Sequence, residues 1–121
     1  MPKRVLVCDD EPCILECVSH VVRAEGYDVL IAEDGEDALR LARAELPDAM
    51  ILDISMPRKD GDVVCRELKS DPATRGVYII VLTAKCQQGD MQESYRCGAD
   101  EYMEKPFRPS GLRKRLHELL D

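Results

Sequence analysis

Short apolar runs recur along the chain, each followed by turn residues and then by an amphipathic stretch. The first run, Val5-Leu6-Val7-Cys8, leads into Asp9-Asp10-Glu11-Pro12. Pro12 suits the first turn of a helix, and Ile14, Cys17, Val18, Val21 and Val22 follow at the i, i+3, i+4, i+7 spacing of one helical face. Gly26 sits where a helix stops. A second strand is predicted over Val29-Leu30-Ile31-Ala32. Asp34 and Asp37 then form an acid variant of a capping box before Ala38, Leu41, Ala42 and Leu46, and Pro47 ends that helix. Ala49-Met50-Ile51-Leu52 runs straight into Asp53, as in a strand buried on both faces.

The second half repeats the pattern. Asp60-Gly61 opens a third helix through Val64, Cys65 and Leu68, which ends by Ser70-Asp71-Pro72. Val77 to Thr83 is β-branched and apolar, the strongest strand signal in the chain. A weaker helix is predicted over 84–97, a short strand around Glu101-Tyr102-Met103, and a last helix carrying Leu112, Leu116, Leu119 and Leu120. Five strands alternating with five helices through short connections predict a parallel sheet with helices on both faces and right-handed crossovers. The expected fold is a single doubly wound α/β domain over 1–121.

Composition narrows the function classes. At 121 residues, 45% hydrophobic and 34% charged, the chain is globular and fits one core. A net charge of -7 argues against direct nucleic-acid binding, which needs a cationic surplus. The longest apolar run is six residues, so no membrane span is expected. With no secretory leader after Met1, a cytoplasmic location is expected. Cysteines at 8, 13, 17, 65, 86 and 97 show neither a C-x-x-C pair nor a histidine at zinc spacing, and read as reduced, mostly buried thiols. His20 and His117 read as structural, and Arg113-Lys114-Arg115 as a solvated helix face.

The chemistry gathers at one edge. In a parallel sheet the C-terminal strand ends lie together, which assembles Asp9, Asp10, Asp53, Thr83 and Lys105 from strands one, three, four and five. Clustered carboxylates repel one another, and a hard divalent cation with oxygen ligands relieves the repulsion. A lysine and a hydroxyl on the same rim supply donors to an anion. The combination describes phosphoryl transfer with an aspartate as nucleophile.

These residues, together with Met56-Pro57 and Asp60-Gly61 after Asp53, Thr83-Ala84, Gly98-Ala99 and Lys105-Pro106-Phe107, resemble the receiver domain of two-component response regulators. The resemblance runs from about Arg4 to Leu120. It implies the flavodoxin-like (βα)5 fold, a five-stranded parallel sheet in the order 2-1-3-4-5. It implies that Asp53 accepts a phosphoryl group from a sensor histidine kinase or histidine phosphotransfer protein. Asp10, Asp53 and the Ser55 backbone carbonyl would hold Mg²⁺ or Mn²⁺, with Asp9 assisting through water. Lys105 would pair with Asp53 and then with the phosphoryl group, Thr83 would donate its hydroxyl, and Tyr102 would turn inward as the aromatic switch. The fourth helix, fifth strand and fifth helix would then present a changed surface to a downstream protein or output domain, as a monomer or a phosphorylation-dependent dimer. Ser55, Ala84 and Lys85 occupy positions that tune phosphoryl lifetime. Such a domain supports its own phosphorylation and autodephosphorylation and is not otherwise an enzyme.

Two rivals share parts of this pattern. A degenerate receiver would bind partners without phosphorylation, against which Asp10, Asp53, Thr83 and Lys105 all stand. A haloacid-dehalogenase-like phosphatase wants a second acid two residues after its nucleophile, where this chain has Ser55 and no cap insertion follows. No output domain is expected within the chain, which leaves a stand-alone receiver and a part of a longer regulator both open.

Overall fold

The computed structural model describes residues 3–53, 61–83, 100–104 and 109–120, with the backbone alone at 61, 62, 83, 102, 104 and 109. Strands β1 (Arg4–Cys8), β2 (Asp28–Ala32), β3 (Ala49–Asp53), β4 (Tyr78–Thr83) and β5 (Glu101–Glu104) form one sheet in the order β2-β1-β3-β4-β5. All four neighbouring pairs are parallel. Helices α1 (Pro12–Ala24), α2 (Gly35–Glu45) and α3 (Gly61–Ser70) and the C-terminal helix (Pro109–Leu120) flank it. The predicted helix over 84–97 lies outside the described residues.

Alternation along each strand sorts side chains into two cores. Leu6, Cys8, Met50, Leu52, Ile79 and Val81 pack with α2 and α3 through Ala38, Leu39, Ala42, Val64, Cys65 and Leu68. Val5, Val7, Ala49, Ile51 and Leu82 pack on the other side with α1 and the C-terminal helix through Leu15, Val18, Val22, Leu112 and Leu116. Every residue of β3 is buried, as expected for a middle strand covered on both faces. This is the doubly wound α/β architecture read from the sequence.

Local signals set the boundaries. After α1, Gly26 takes φ +90, and its N–H donates to the Arg23 carbonyl at 3.0 Å while the Tyr27 N–H reaches Val22 at 3.3 Å. This is a Schellman ending, in which glycine escapes the Cβ penalty of left-handed geometry. Asp34 caps α2 by accepting from the Asp37 N–H at 2.8 Å. The Asp37 carboxylate accepts from Arg40, one turn along. Leu46, expected on the apolar face of this helix, instead caps it in left-handed geometry at φ 47 and is 50% exposed. Pro47 accounts for the helix stopping there, because right-handed helical geometry is disfavoured for the residue before a proline.

Two further expectations are corrected. The apolar face of α1 is centred on Leu15, Val18 and Val22, and Cys17 falls outside it, exposed. Arg113 and Arg115 are not simply solvated. Arg113 pairs with Glu25 at the end of α1 at 2.6 Å, and Arg115 bridges Glu101 of β5, Glu118 and the Tyr78 hydroxyl. Burial and the Glu101 hydrogen bond raise the Tyr78 pKa, keeping that hydroxyl a donor. His117 does stand in a structural role, between the Tyr27 hydroxyl at 3.2 Å and Glu25 at 3.3 Å.

The cysteines divide. Cys8 and Cys65 are buried, whereas Cys13 and Cys17 are exposed, so the reading of mostly buried thiols holds for half of those described. Burial, followed by the charges of Asp37 and Asp9, pushes the Cys8 thiol well above its ordinary pKa. Since the thiolate is the reactive form, peptide-resolved alkylation of the native protein near neutral pH should label Cys13 and Cys17 and spare Cys8 and Cys65 until denaturant is added. Early labelling of Cys8 would contradict the packing of β1.

Candidate functional site at the C-terminal strand edge

β1 and β3 are neighbours in register, with Cys8 opposite Leu52, so the residues that leave them emerge side by side. Asp9 and Asp10 follow β1, and Asp53 is the last residue of β3. Their carboxylates offer oxygens that all lie within 4.8 Å of one another. Asp9 is fully buried, Asp53 is 5% exposed and Asp10 is exposed, so the cluster grades from the sheet edge into solvent.

The loop that carries Asp10 is pinned at both ends. The Asp9 N–H donates to the Ala32 carbonyl at 3.2 Å, continuing the β1–β2 ladder one residue past the strand. The Asp9 carboxylate accepts from the Glu11 N–H at 2.9 Å, an Asx-type turn that delivers the chain to Pro12 and α1. Sequence reasoning gave Asp9 an accessory metal role and missed this anchoring one. The signal was present in an aspartate two residues before a backbone N–H at a strand-to-helix turn.

On the other side, Asp53 is opposite Leu82, which places the Thr83 backbone one residue beyond it on the same edge. Thr83 in turn is opposite Glu104, the residue before Lys105, and Tyr102 is opposite Val81. The structure therefore brings Asp9, Asp10 and Asp53 together and puts the Thr83 backbone beside them. Ser55, Ala84, Lys85 and Lys105 lie outside the described residues, as do the side chains of Thr83 and Tyr102.

The donor set can be tested against a cation. It consists of carboxylate oxygens alone, with no thiolate or imidazole among them. Such a set suits a hard cation of the magnesium or manganese kind, which keeps waters in its remaining positions, and an exposed member such as Asp10 leaves room for them. The three aspartates fit.

Against known families, residues 5–117 match the response regulator receiver domain. The chain belongs to that family. As a receiver it shares 39% identity over 120 residues with the alkaline phosphatase synthesis transcriptional regulatory protein PhoP of Bacillus subtilis, covering 99% of this chain and 49% of that protein. The chain spans about half the length of the curated relatives it matches. Among solved structures, a chemotaxis protein of Vibrio cholerae superposes with a TM-score of 0.91 at 32% identity, covering 99% of this receiver and 100% of that chain. The receiver domain of a sensor histidine kinase from Pseudomonas aeruginosa, with a magnesium ion coordinated in its active-site cleft, gives 0.91 at 31% identity and 98% coverage of both. The flavodoxin-like fold expected for a receiver is thus present in strand order, register and superposition. Among the described residues of this receiver, no helix is long and apolar enough to cross a membrane.

Proposed function

We propose that this receiver is a phosphorylation-activated switch in which Asp53 is the phosphoryl acceptor. The observation that carries the reading is the convergence of Asp9, Asp10 and Asp53 oxygens within 4.8 Å at the C-terminal edge of the sheet. A carboxylate oxygen of Asp53 attacks the phosphorus of a phosphohistidine, the N–P bond breaks, and the imidazole leaves with a proton. The donor is a sensor histidine kinase or a histidine phosphotransfer protein. Asp10 and Asp53, with the Ser55 carbonyl and with Asp9 assisting through water, would hold Mg²⁺ or Mn²⁺. When bound, such a cation neutralises charge on the transferring phosphoryl oxygens. Asp9 also fixes the loop that aims Asp10.

Lys105 pairs with Asp53 and afterwards with a phosphoryl oxygen, and Thr83 donates its hydroxyl to another. The added charge of about -1.5 to -2 and the new acceptor oxygens draw Thr83 inward. Tyr102 follows, and the surface around β5 and the C-terminal helix shifts between two pre-existing arrangements. That surface serves a downstream protein or output domain rather than nucleic acid directly, in the cytoplasm, as a monomer or a phosphorylation-dependent dimer. Ser55, Ala84 and Lys85 set how long the phosphoryl group survives. Residues 1–121 act as one receiver unit, with no enzymatic activity beyond forming and hydrolysing its own acyl phosphate.

Intact mass after incubation with acetyl phosphate and Mg²⁺ tests the reading. One added phosphoryl group is expected, absent with EDTA and absent in Asp53→Asn. Uptake undiminished in Asp53→Asn would overturn it, and no uptake by a chain that still binds Mg²⁺ would favour a phosphorylation-independent binding module.

A further inference from the structure

We propose that Cys13 and Cys17 form a two-thiolate site for a soft, thiophilic cation of the monovalent copper class. Both are free and exposed on α1. They stand four residues apart, the spacing that stacks side chains on successive helical turns. Together with Glu16, His20, Val21 and Arg113 they line a groove of about 470 Å³ between α1 and the C-terminal helix. Neither thiol is used elsewhere. The core contacts of α1 come from Leu15, Val18, Val21 and Val22, and the aspartate cluster is built from the ends of β1 and β3.

Distances decide between two fates for such a pair. Helical side chains at this spacing have Cβ atoms about 5–6 Å apart. A disulfide needs Cβ atoms roughly 3.5–4.5 Å apart, which α1 reaches only by distorting. On the scale of a zinc–thiolate bond, about 2.3 Å, a linear thiolate–metal–thiolate bridge wants sulfur atoms roughly 4.6 Å apart. That separation is close to the Cβ spacing itself, so it asks for no distortion of the helix.

The choice of ion follows from the donors. Thiolates favour soft ions, whereas the carboxylate cluster favours hard ones, so the two sites select different metals. Among the described residues, the only trio of His, Cys, Asp or Glu ligand atoms within 4.8 Å of one another is Asp9, Asp10 and Asp53. Cys13 and Cys17 are the two sulfur donors lining the groove, and a pair of thiolates suits a two-coordinate ion better than tetrahedral zinc. As each sulfur–metal bond forms, the thiol proton passes to solvent, and neither the metal nor the sulfur changes oxidation state.

Anaerobic titration of the reduced full chain with Cu(I), in competition with a chromophoric Cu(I) chelator, tests the site. The wild-type chain is expected to withhold one equivalent from the chelator with its helical circular dichroism unchanged. A Cys86→Ser/Cys97→Ser variant is expected to do the same. Cys13→Ser/Cys17→Ser, and each single variant, should lose that equivalent while keeping the wild-type thermal midpoint. No copper withheld by the wild type, copper retained by Cys13→Ser/Cys17→Ser, or copper lost from Cys86→Ser/Cys97→Ser would each overturn the proposal.

Discussion

An Asp10→Asn variant is expected to keep its fold and to lose the thermal stabilisation expected of Mg²⁺ in the wild-type chain. Asp10 is the exposed member of the carboxylate cluster, so its replacement disturbs no packing. A ligand that binds only the folded state stabilises it by RT ln(1 + [L]/Kd), which is about 1.4 kcal/mol at ten times Kd. For a domain of this size that raises the midpoint by roughly 5 °C. With one charge removed from the cluster, the variant should show almost none of this rise. Without metal the sign reverses. The three aspartate oxygens lie within 4.8 Å of one another, so removing a charge relieves repulsion, and the metal-free variant should melt above the metal-free wild type. Thermal scans with and without Mg²⁺ check both signs. An equal Mg²⁺ shift in the two proteins would remove Asp10 from the metal site.

The largest loss of stability is expected at the sheet centre. Leu6 is fully buried in β1, flanked by β2 and β3, and packs into the core beneath α2 and α3. Leu6→Ala removes its transfer free energy and leaves a cavity that strands held on both sides cannot close. The expected cost is about 3–4 kcal/mol, a large share of the roughly 5–15 kcal/mol that holds a domain folded. Urea unfolding should show a lower midpoint with an unchanged slope. Leu46 is the internal comparison. At 50% exposure, in a left-handed cap, its replacement by Ala should change stability by less than about 0.5 kcal/mol. Similar losses at the two leucines would mean that the sheet is not the stabilising unit.

Those two leucines also mark where sequence legibility ends. Leu6 was readable because Val5, Leu6, Val7 and Cys8 form a short unbroken apolar run that ends in turn residues, the pattern of a strand covered on both faces. Leu46 was misread because helical spacing extends one residue into the range of Pro47, where backbone sterics override periodicity. Cys17 was misread for a related reason. A sulfur residue fits an apolar stripe on paper, but Leu15, which that stripe left out, is the residue of α1 that takes the core position. The partners of Arg113 and Arg115 come from Glu25, Tyr78 and Glu101, distant in the chain, and no local pattern encodes them.

The site was legible to the extent that it rests on strand ends. Asp9, Asp10 and Asp53 each stand at or directly after a strand terminus, and parallel pairing with register Cys8 to Leu52 is enough to bring them together. The anchoring of Asp10 through the Asp9 carboxylate was not read, since it depends on a single side-chain hydrogen bond to Glu11. The positions assigned to Lys105, Ser55, Ala84 and Lys85 stand on the match to the receiver family and on the residues themselves.

The central claim, that Asp53 is the phosphoryl acceptor, is tested most directly by chemical trapping. After incubation with acetyl phosphate and Mg²⁺, borohydride reduces an aspartyl phosphate to homoserine, and peptide mass spectrometry locates the change. Homoserine at position 53, and at no other aspartate, is the predicted result. Homoserine at Asp9 or Asp10, or a phosphoryl group on a residue that borohydride does not reduce, would contradict the account.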